Sequence, residues 1–149
     1  MASTDEKVTK DLIETLEDGR EGFTKGAEKL DDIGRADVAA TFRELAGQRA
    51  TFAQELRDLA QQYGDNIEED GSLLGALHRG WMSIKDAVNG DDPEGVLDAA
   101  EQGEDHAKSE YQDALDAEIS PHLRTVVQRQ QADIIAAHDR VKALRDAND

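Results

Sequence analysis

The apolar residues of this chain recur at the three- and four-residue intervals of an amphipathic helix, in five separate segments. Each residue of an α-helix advances about 100° around the axis, so residues at these intervals form one apolar stripe. No segment between them alternates apolar and polar residues as a half-buried strand does. The pattern predicts an all-α protein whose helices span about residues 6–31, 34–63, 72–89, 93–118 and 121–146.

Composition excludes several classes of protein. The 149 residues suggest a single domain, 1–149, and the formal net charge of −17 disfavours nucleic acid as a partner. The absence of cysteine rules out a disulfide framework, a thiolate nucleophile and cysteine-ligated metal. No apolar run is long enough to span a membrane and residues 1–10 are polar, so we expect no membrane partner, no secretory signal and a cytoplasmic location.

Residues that favour helix ends lie between the predicted helices. Asp32 and Gly34 separate the first two, and Pro93 is suited to the first position of the fourth. Ser120 followed by Pro121 gives the same start signal for the fifth. These residues support the helix limits inferred from periodicity.

Helix lengths and loop lengths together suggest a topology. The first, second, fourth and fifth helices are each roughly 40 Å long, and short loops join them into two antiparallel hairpins. If the shorter helix at 72–89 returns along the bundle, the chain is a ferritin-like four-helix bundle with an additional helix in the crossover connection. A plain up-and-down array of five helices is the alternative.

A di-metal centre in such a bundle needs inward-facing glutamates and paired Glu-x-x-His motifs. None of the four histidines, at positions 78, 106, 122 and 138, has a glutamate three residues before it. By the 100° rule, four glutamates of the first helix lie more than about 120° from the centre of its apolar stripe: Glu14, Glu17, Glu21 and Glu28. We therefore expect no metal and no cofactor, and keep iron or manganese, with Glu104 and His138 as candidate ligands, as the alternative.

Three other polar residues fall inside the apolar stripes: Arg49 in the second helix, Glu104 in the fourth and Gln130 in the fifth. We predict a buried Arg49–Glu104 ion pair with a further hydrogen bond from Gln130, at the level where a di-metal protein holds its cations. An arginine fork can bind a carboxylate through two hydrogen bonds and remains protonated. In the alternative, Arg49 reaches the bundle edge and Glu104 reaches solvent.

Four stretches resemble a bacterial family of uncharacterised, ferritin-like four-helix-bundle proteins: residues 55–64, 71–82, 103–111 and 137–142. The likeness covers about residues 8–146 and is most specific at 71–81. It implies a ferritin-like fold and a bacterial, cytoplasmic, stress-associated setting, and it supplies no established activity and no catalytic residue. Rubrerythrins, in the wider superfamily, carry di-iron sites, but this sequence lacks their paired Glu-x-x-His motifs.

Two functions of different classes follow. The first is a non-catalytic structural or stress-associated interaction protein with a metal-free polar core, acting through an unknown protein partner or through self-association at the helix that carries Trp81. The second is a metal-binding bundle, either a di-iron or manganese oxidoreductase or a metal store.

Overall fold

The computed structural model describes residues 4–62 and 93–147, which form four α-helices. They are α1 (Thr4–Asp32), α2 (Ala36–Gln62), α3 (Pro93–Asp116) and α4 (Pro121–Ala147). These residues contain no strand, so the all-α prediction is confirmed for this part of the chain. The predicted helix at 72–89, with His78 and Trp81, lies outside the described residues.

The turn between α1 and α2 forms because a glycine stands at the end of α1. Gly34 has a φ of +82°, in the left-handed region that favours glycine. The amide of Gly34 donates to the carbonyl of Asp31 at 3.1 Å, and that of Arg35 donates to Leu30 at 2.7 Å. This pattern is a Schellman motif, which satisfies the last carbonyls of α1 and reverses the chain.

At the start of α4, the predicted cap is present. The Ser120 hydroxyl accepts a hydrogen bond from the amide of Leu123 at 3.4 Å, and Pro121 is the first helical residue. The backbone amide of Ser120 donates in turn to the Asp5 carboxylate at 2.9 Å. This bond ties the α3–α4 turn to the first turn of α1.

Pairs of contacts give the relative directions of the helices. Arg43 of α2 pairs with Asp31 near the end of α1, and Arg57 pairs with Glu17 farther back along α1, so the two helices are antiparallel. The α3–α4 hairpin is antiparallel too, because Arg124 near the start of α4 donates to the carbonyl of Leu115 near the end of α3.

The hairpins pack so that α2 and α3 run in the same direction. Leu30, near the end of α1, shares an apolar cluster with Val96, near the start of α3. Leu12 shares the other cluster with Ala114, near the end of α3. Since α1 is therefore antiparallel to both α2 and α3, α2 ends and α3 begins at opposite ends of the bundle. This arrangement excludes a simple up-and-down order for the four described helices.

The core consists of two apolar clusters with polar residues between them. One cluster extends along α2 as far as Ala46, and the other begins again at Phe52. On α3, the corresponding break falls between Ala100 and Ala107. The break is occupied by Arg49 of α2 and Glu104 of α3, which is where the candidate site is found.

The predicted outward orientation of Glu17 is wrong. Glu17 is only 8% exposed, and its carboxylate pairs with Arg20 at 2.7 Å and with Arg57 at 3.4 Å. The reason is that α1 packs against both α2 and α3, so its buried arc is wider than its apolar stripe. Buried glycines at 19, 22 and 26 extend this arc without contributing to the hydrophobic pattern.

Candidate functional site

The Arg49 side chain lies in the centre of the bundle, and helix α1 makes room for it. Its guanidinium carbon is 5.3 Å from the centre of the Phe23 ring, a cation–π distance. A Cβ atom at Gly19 would lie 3.4 Å from Nη1 of Arg49, in ordinary contact, so the guanidinium packs beside the α1 backbone and a side chain longer than that of alanine would displace it. Arg49 has the largest fully buried side chain among the described residues.

Arg49 and Glu104 form a bidentate ion pair. Nη1 donates to Oε1 of Glu104 at 2.6 Å, and Nη2 donates to Oε2 at 2.7 Å. The two side chains are 1% and 0% exposed. Nε of Arg49 also donates to the Gln48 side-chain oxygen at 3.2 Å. Each carboxylate oxygen thus has a charged hydrogen-bond donor, which partly offsets the cost of burying both charges.

Gln130 belongs to a different hydrogen-bonded chain. Its Oε1 accepts from the Tyr111 hydroxyl at 2.7 Å, and its Nε2 donates to Oε1 of Glu55 at 2.8 Å. Glu55 is paired in turn with Arg129 at the surface. Burial raises the pKa of Tyr111 well above its usual range, so the phenol remains protonated and serves as the donor.

The predicted hydrogen bond from Gln130 to the ion pair is therefore not the one that the structure contains. Interhelical ion pairs place residues 44 and 140 together, and residues 55 and 129 together. This register puts Gln130 beside Glu55. The level of Arg49 is more than one helical turn away, and one turn is about 5.4 Å long. Tyr111 and Glu55 are its nearest polar partners there.

A second group of polar residues lies on the seam between α3 and α4. Glu101, Asp105 and His138 each offer one ligand atom, and these atoms lie within 4.8 Å of one another. Nε2 of His138 is 2.6 Å from Oδ1 of Asp105, and Nδ1 is 3.3 Å from Oδ1 of Asp139. Glu101 is paired with Arg145 of α4.

Residues 6–117 match the model of a protein family described as a domain of unknown function, DUF2383. The matched region covers α1, α2 and α3. The chain belongs to the DUF2383 family. No curated protein matches it.

In this DUF2383 protein, Glu104 and His138 do not share a ligand set, although both were candidate metal ligands. Both oxygens of Glu104 are engaged by Arg49, whereas His138 faces Asp105 and Asp139. The two residues therefore serve different sites, one in the core and one on the α3–α4 seam.

Sequence reasoning missed the contribution of Glu101 and Asp105 to the seam. They are four residues apart on α3 and so share a face, and that spacing was the available signal. Which α4 residue they face depends on the register of the hairpin, which helical periodicity does not give. Glu55 was missed as a partner of Gln130 for the same reason.

None of the described helices combines the length and the apolar character needed to cross a membrane. Some of the many carboxylates of the chain form ion pairs between helices, such as that of Glu44 with Arg140 at 2.9 Å. Hydrogen bonding by Arg140 is the main cause of the lowered pKa of Glu44.

Proposed function

We propose that this protein is a non-catalytic, ferritin-like helical bundle with a structural or stress-associated interaction role and a metal-free polar core. The observation that carries the proposal is the Arg49–Glu104 pair at the bundle centre. In this proposal, the pair takes the central position that carboxylate-bound cations take in ferritin-like di-metal proteins. A permanently charged guanidinium takes the place of the metal charge.

The chemistry of the pair favours a structural role. Both side chains are almost completely buried, and a guanidinium does not act as a proton donor or base in catalysis near neutral pH because it stays protonated. Both carboxylate oxygens are already hydrogen-bonded to the Arg49 guanidinium, so a metal ion at Glu104 would have to displace this cation. The pair instead specifies how α2 and α3 are aligned along the bundle, because the guanidinium and the carboxylate form two hydrogen bonds only when Arg49 and Glu104 lie at the same level.

The ferritin-like arrangement is part of the same proposal. The common direction of α2 and α3 fits this arrangement, because a long crossover between two helical hairpins gives that direction, as an up-and-down array of five helices also would. In this proposal the crossover carries the additional helix predicted at 72–89. The interaction role in this proposal is self-association or binding of an unidentified protein partner.

Metal chemistry at the core is the alternative that an experiment must test. The chain should be produced in medium supplemented with iron and manganese, and its metal content and its rate of Fe²⁺ oxidation in air measured. Glu104→Gln is the test variant, with circular dichroism to establish that it folds. The proposal predicts no Fe²⁺ oxidation above the buffer rate and no bound metal that depends on Glu104.

About two metal ions per chain, lost in Glu104→Gln, would contradict the proposal and favour the oxidoreductase or storage function. A functional test uses the Arg49→Met/Glu104→Leu double variant. If the core is structural, this variant should restore any stress phenotype of a deletion strain as well as the natural chain does. Failure of a folded double variant to do so would indicate that the core has a chemical role.

A further inference from the structure

We propose that Glu101, Asp105 and His138 bind one divalent transition-metal ion, of the class of Zn²⁺, on the α3–α4 seam. This site is separate from the Arg49–Glu104 core and does not depend on the function proposed above. Two carboxylates and one imidazole are a donor set that Zn²⁺ accepts in proteins.

The positions of the three residues suit a shared ion. Glu101 and Asp105 lie one turn apart on α3, and His138 faces them from α4, with all three ligand atoms within 4.8 Å of one another. Two atoms bound to one zinc ion at about 2.0–2.2 Å lie at most about 4.4 Å apart, so a small side-chain adjustment brings the three ligand atoms into one coordination shell. The ligands come from two packed helices, so the scaffold already holds most of the geometry.

Burial differs among the ligands in a way that suits metal capture. The His138 side chain is 10% exposed, so its ring is held between the helices, whereas the Asp105 side chain is 62% exposed. An ion can therefore approach from solvent at the exposed carboxylate and then meet the buried imidazole. The open side leaves room for water to complete the coordination shell.

A further carboxylate stands behind the histidine. Asp139 places Oδ1 3.3 Å from Nδ1 of His138, on the ring atom opposite the one that faces Asp105. With its proton on Nδ1, held by Asp139, His138 would bind the ion through the Nε2 lone pair, and the ion would replace the present hydrogen bond between Nε2 and Asp105. Ligating histidines in proteins commonly have such a carboxylate partner, which fixes the tautomer and the ring orientation.

Arg145 is the competitor for this site. It is paired with Glu101, and it also lies 3.2 Å from Asp146 and 3.9 Å from Asp98. Arg145 can therefore release Glu101 to a metal and keep two carboxylate neighbours. If the site binds metal, removing this competing cation should tighten binding, which an ion-pair role alone does not predict.

The donor set also predicts selectivity. One nitrogen and two oxygen ligands favour a transition metal over Mg²⁺ or Ca²⁺, which prefer oxygen alone. Among divalent ions of this group, Zn²⁺ is expected to bind more tightly than Mn²⁺.

Isothermal titration of the full chain, without a histidine tag, with Zn²⁺ and with Mn²⁺ tests the proposal. We expect one Zn²⁺ per chain, bound more tightly than Mn²⁺. Asp105→Asn and His138→Gln should each weaken Zn²⁺ binding at least tenfold, a loss of about 1.4 kcal/mol. Arg145→Gln should strengthen it severalfold. His122→Gln, at an exposed histidine in the first turn of α4, is the matched control and should bind as the natural chain does.

Asp105→Asn changes an exposed side chain, so its fold should be preserved even if His138→Gln is destabilised; circular dichroism checks both. Zn²⁺ binding that is unchanged in Asp105→Asn, or an equal loss in the His122→Gln control, would overturn the proposal. So would an affinity that does not rise in Arg145→Gln. Because none of these variants touches the Arg49–Glu104 pair, failure here leaves the proposed function unaffected.

Discussion

Replacing Arg49 with methionine should destabilise the bundle strongly, because it leaves Glu104 charged and buried without its partner. The Glu104 side chain is 0% exposed, so its carboxylate depends on buried partners rather than on bulk solvent. Two unit charges about 4 Å apart interact by about 4 kcal/mol at an effective dielectric constant of 20. This figure agrees with the roughly 3–5 kcal/mol typical of breaking a buried pair on one side.

The assay is equilibrium unfolding in urea, followed by circular dichroism, together with a thermal melt. For a chain of this size, the expected loss corresponds to a fall in Tm on the order of 10 °C. Arg43→Met is the matched control, since Arg43 lies on the same helix and pairs with Asp31 at the surface. Exposed pairs contribute up to about 1 kcal/mol, so the control should change little.

The double variant Arg49→Met/Glu104→Leu separates charge burial from packing. It removes both buried charges and should recover most of the stability lost in Arg49→Met, because well-packed apolar residues often replace a buried ion pair without net cost. An Arg49→Met variant as stable as the natural chain would refute the reasoning. A double variant no more stable than the single one would also refute it, since packing rather than charge would then account for the loss.

Three further predictions follow from individual residues. Gly19→Ala should be neutral or should stabilise the protein by up to about 1 kcal/mol in urea unfolding, because alanine favours helix and its Cβ would make ordinary contact with Arg49 at 3.4 Å. Gly19→Leu should destabilise the protein, because the longer side chain displaces the guanidinium. Gly34→Ala should lower the free energy of unfolding by about 1 kcal/mol, since its φ of +82° strains any residue with a Cβ; an unchanged Tm would contradict this. Burial raises the pKa of Tyr111, so above pH about 10 the phenol ionises only in the unfolded state. The stability that Tyr111 contributes below that pH is then lost by up to about 1.4 kcal/mol per pH unit. Unfolding measured against pH should therefore show a shallower alkaline loss in Tyr111→Phe, and equal slopes would refute the assignment.

The sequence was sufficient for features that depend on local chemistry. Periodicity and end signals placed the four described helices within a few residues, since Pro93, Ser120 and Gly34 act on their immediate neighbours. The same periodicity indicated that Arg49 and Glu104 face inward, because a residue inside an apolar stripe lies on the helix face that packs against the core.

Features that depend on register or on the width of a helix contact were not predictable in this way. Gln130 lies inside its stripe, as the pattern indicates, but its partners Tyr111 and Glu55 are set by how far α4 is shifted along α2 and α3. Glu17 is buried because α1 has two neighbouring helices, a fact of tertiary packing. The Glu101–Asp105–His138 group likewise appears only once the α3–α4 register is known.

The most direct test of a metal-free core is anomalous X-ray scattering from crystals grown with Mn²⁺ or Zn²⁺. If the core is metal-free, there is no anomalous peak between α2 and α3 at the level of Arg49, and the guanidinium is bound to both oxygens of Glu104. A peak within bonding distance of Glu104, with Arg49 turned away from it, would contradict the central claim.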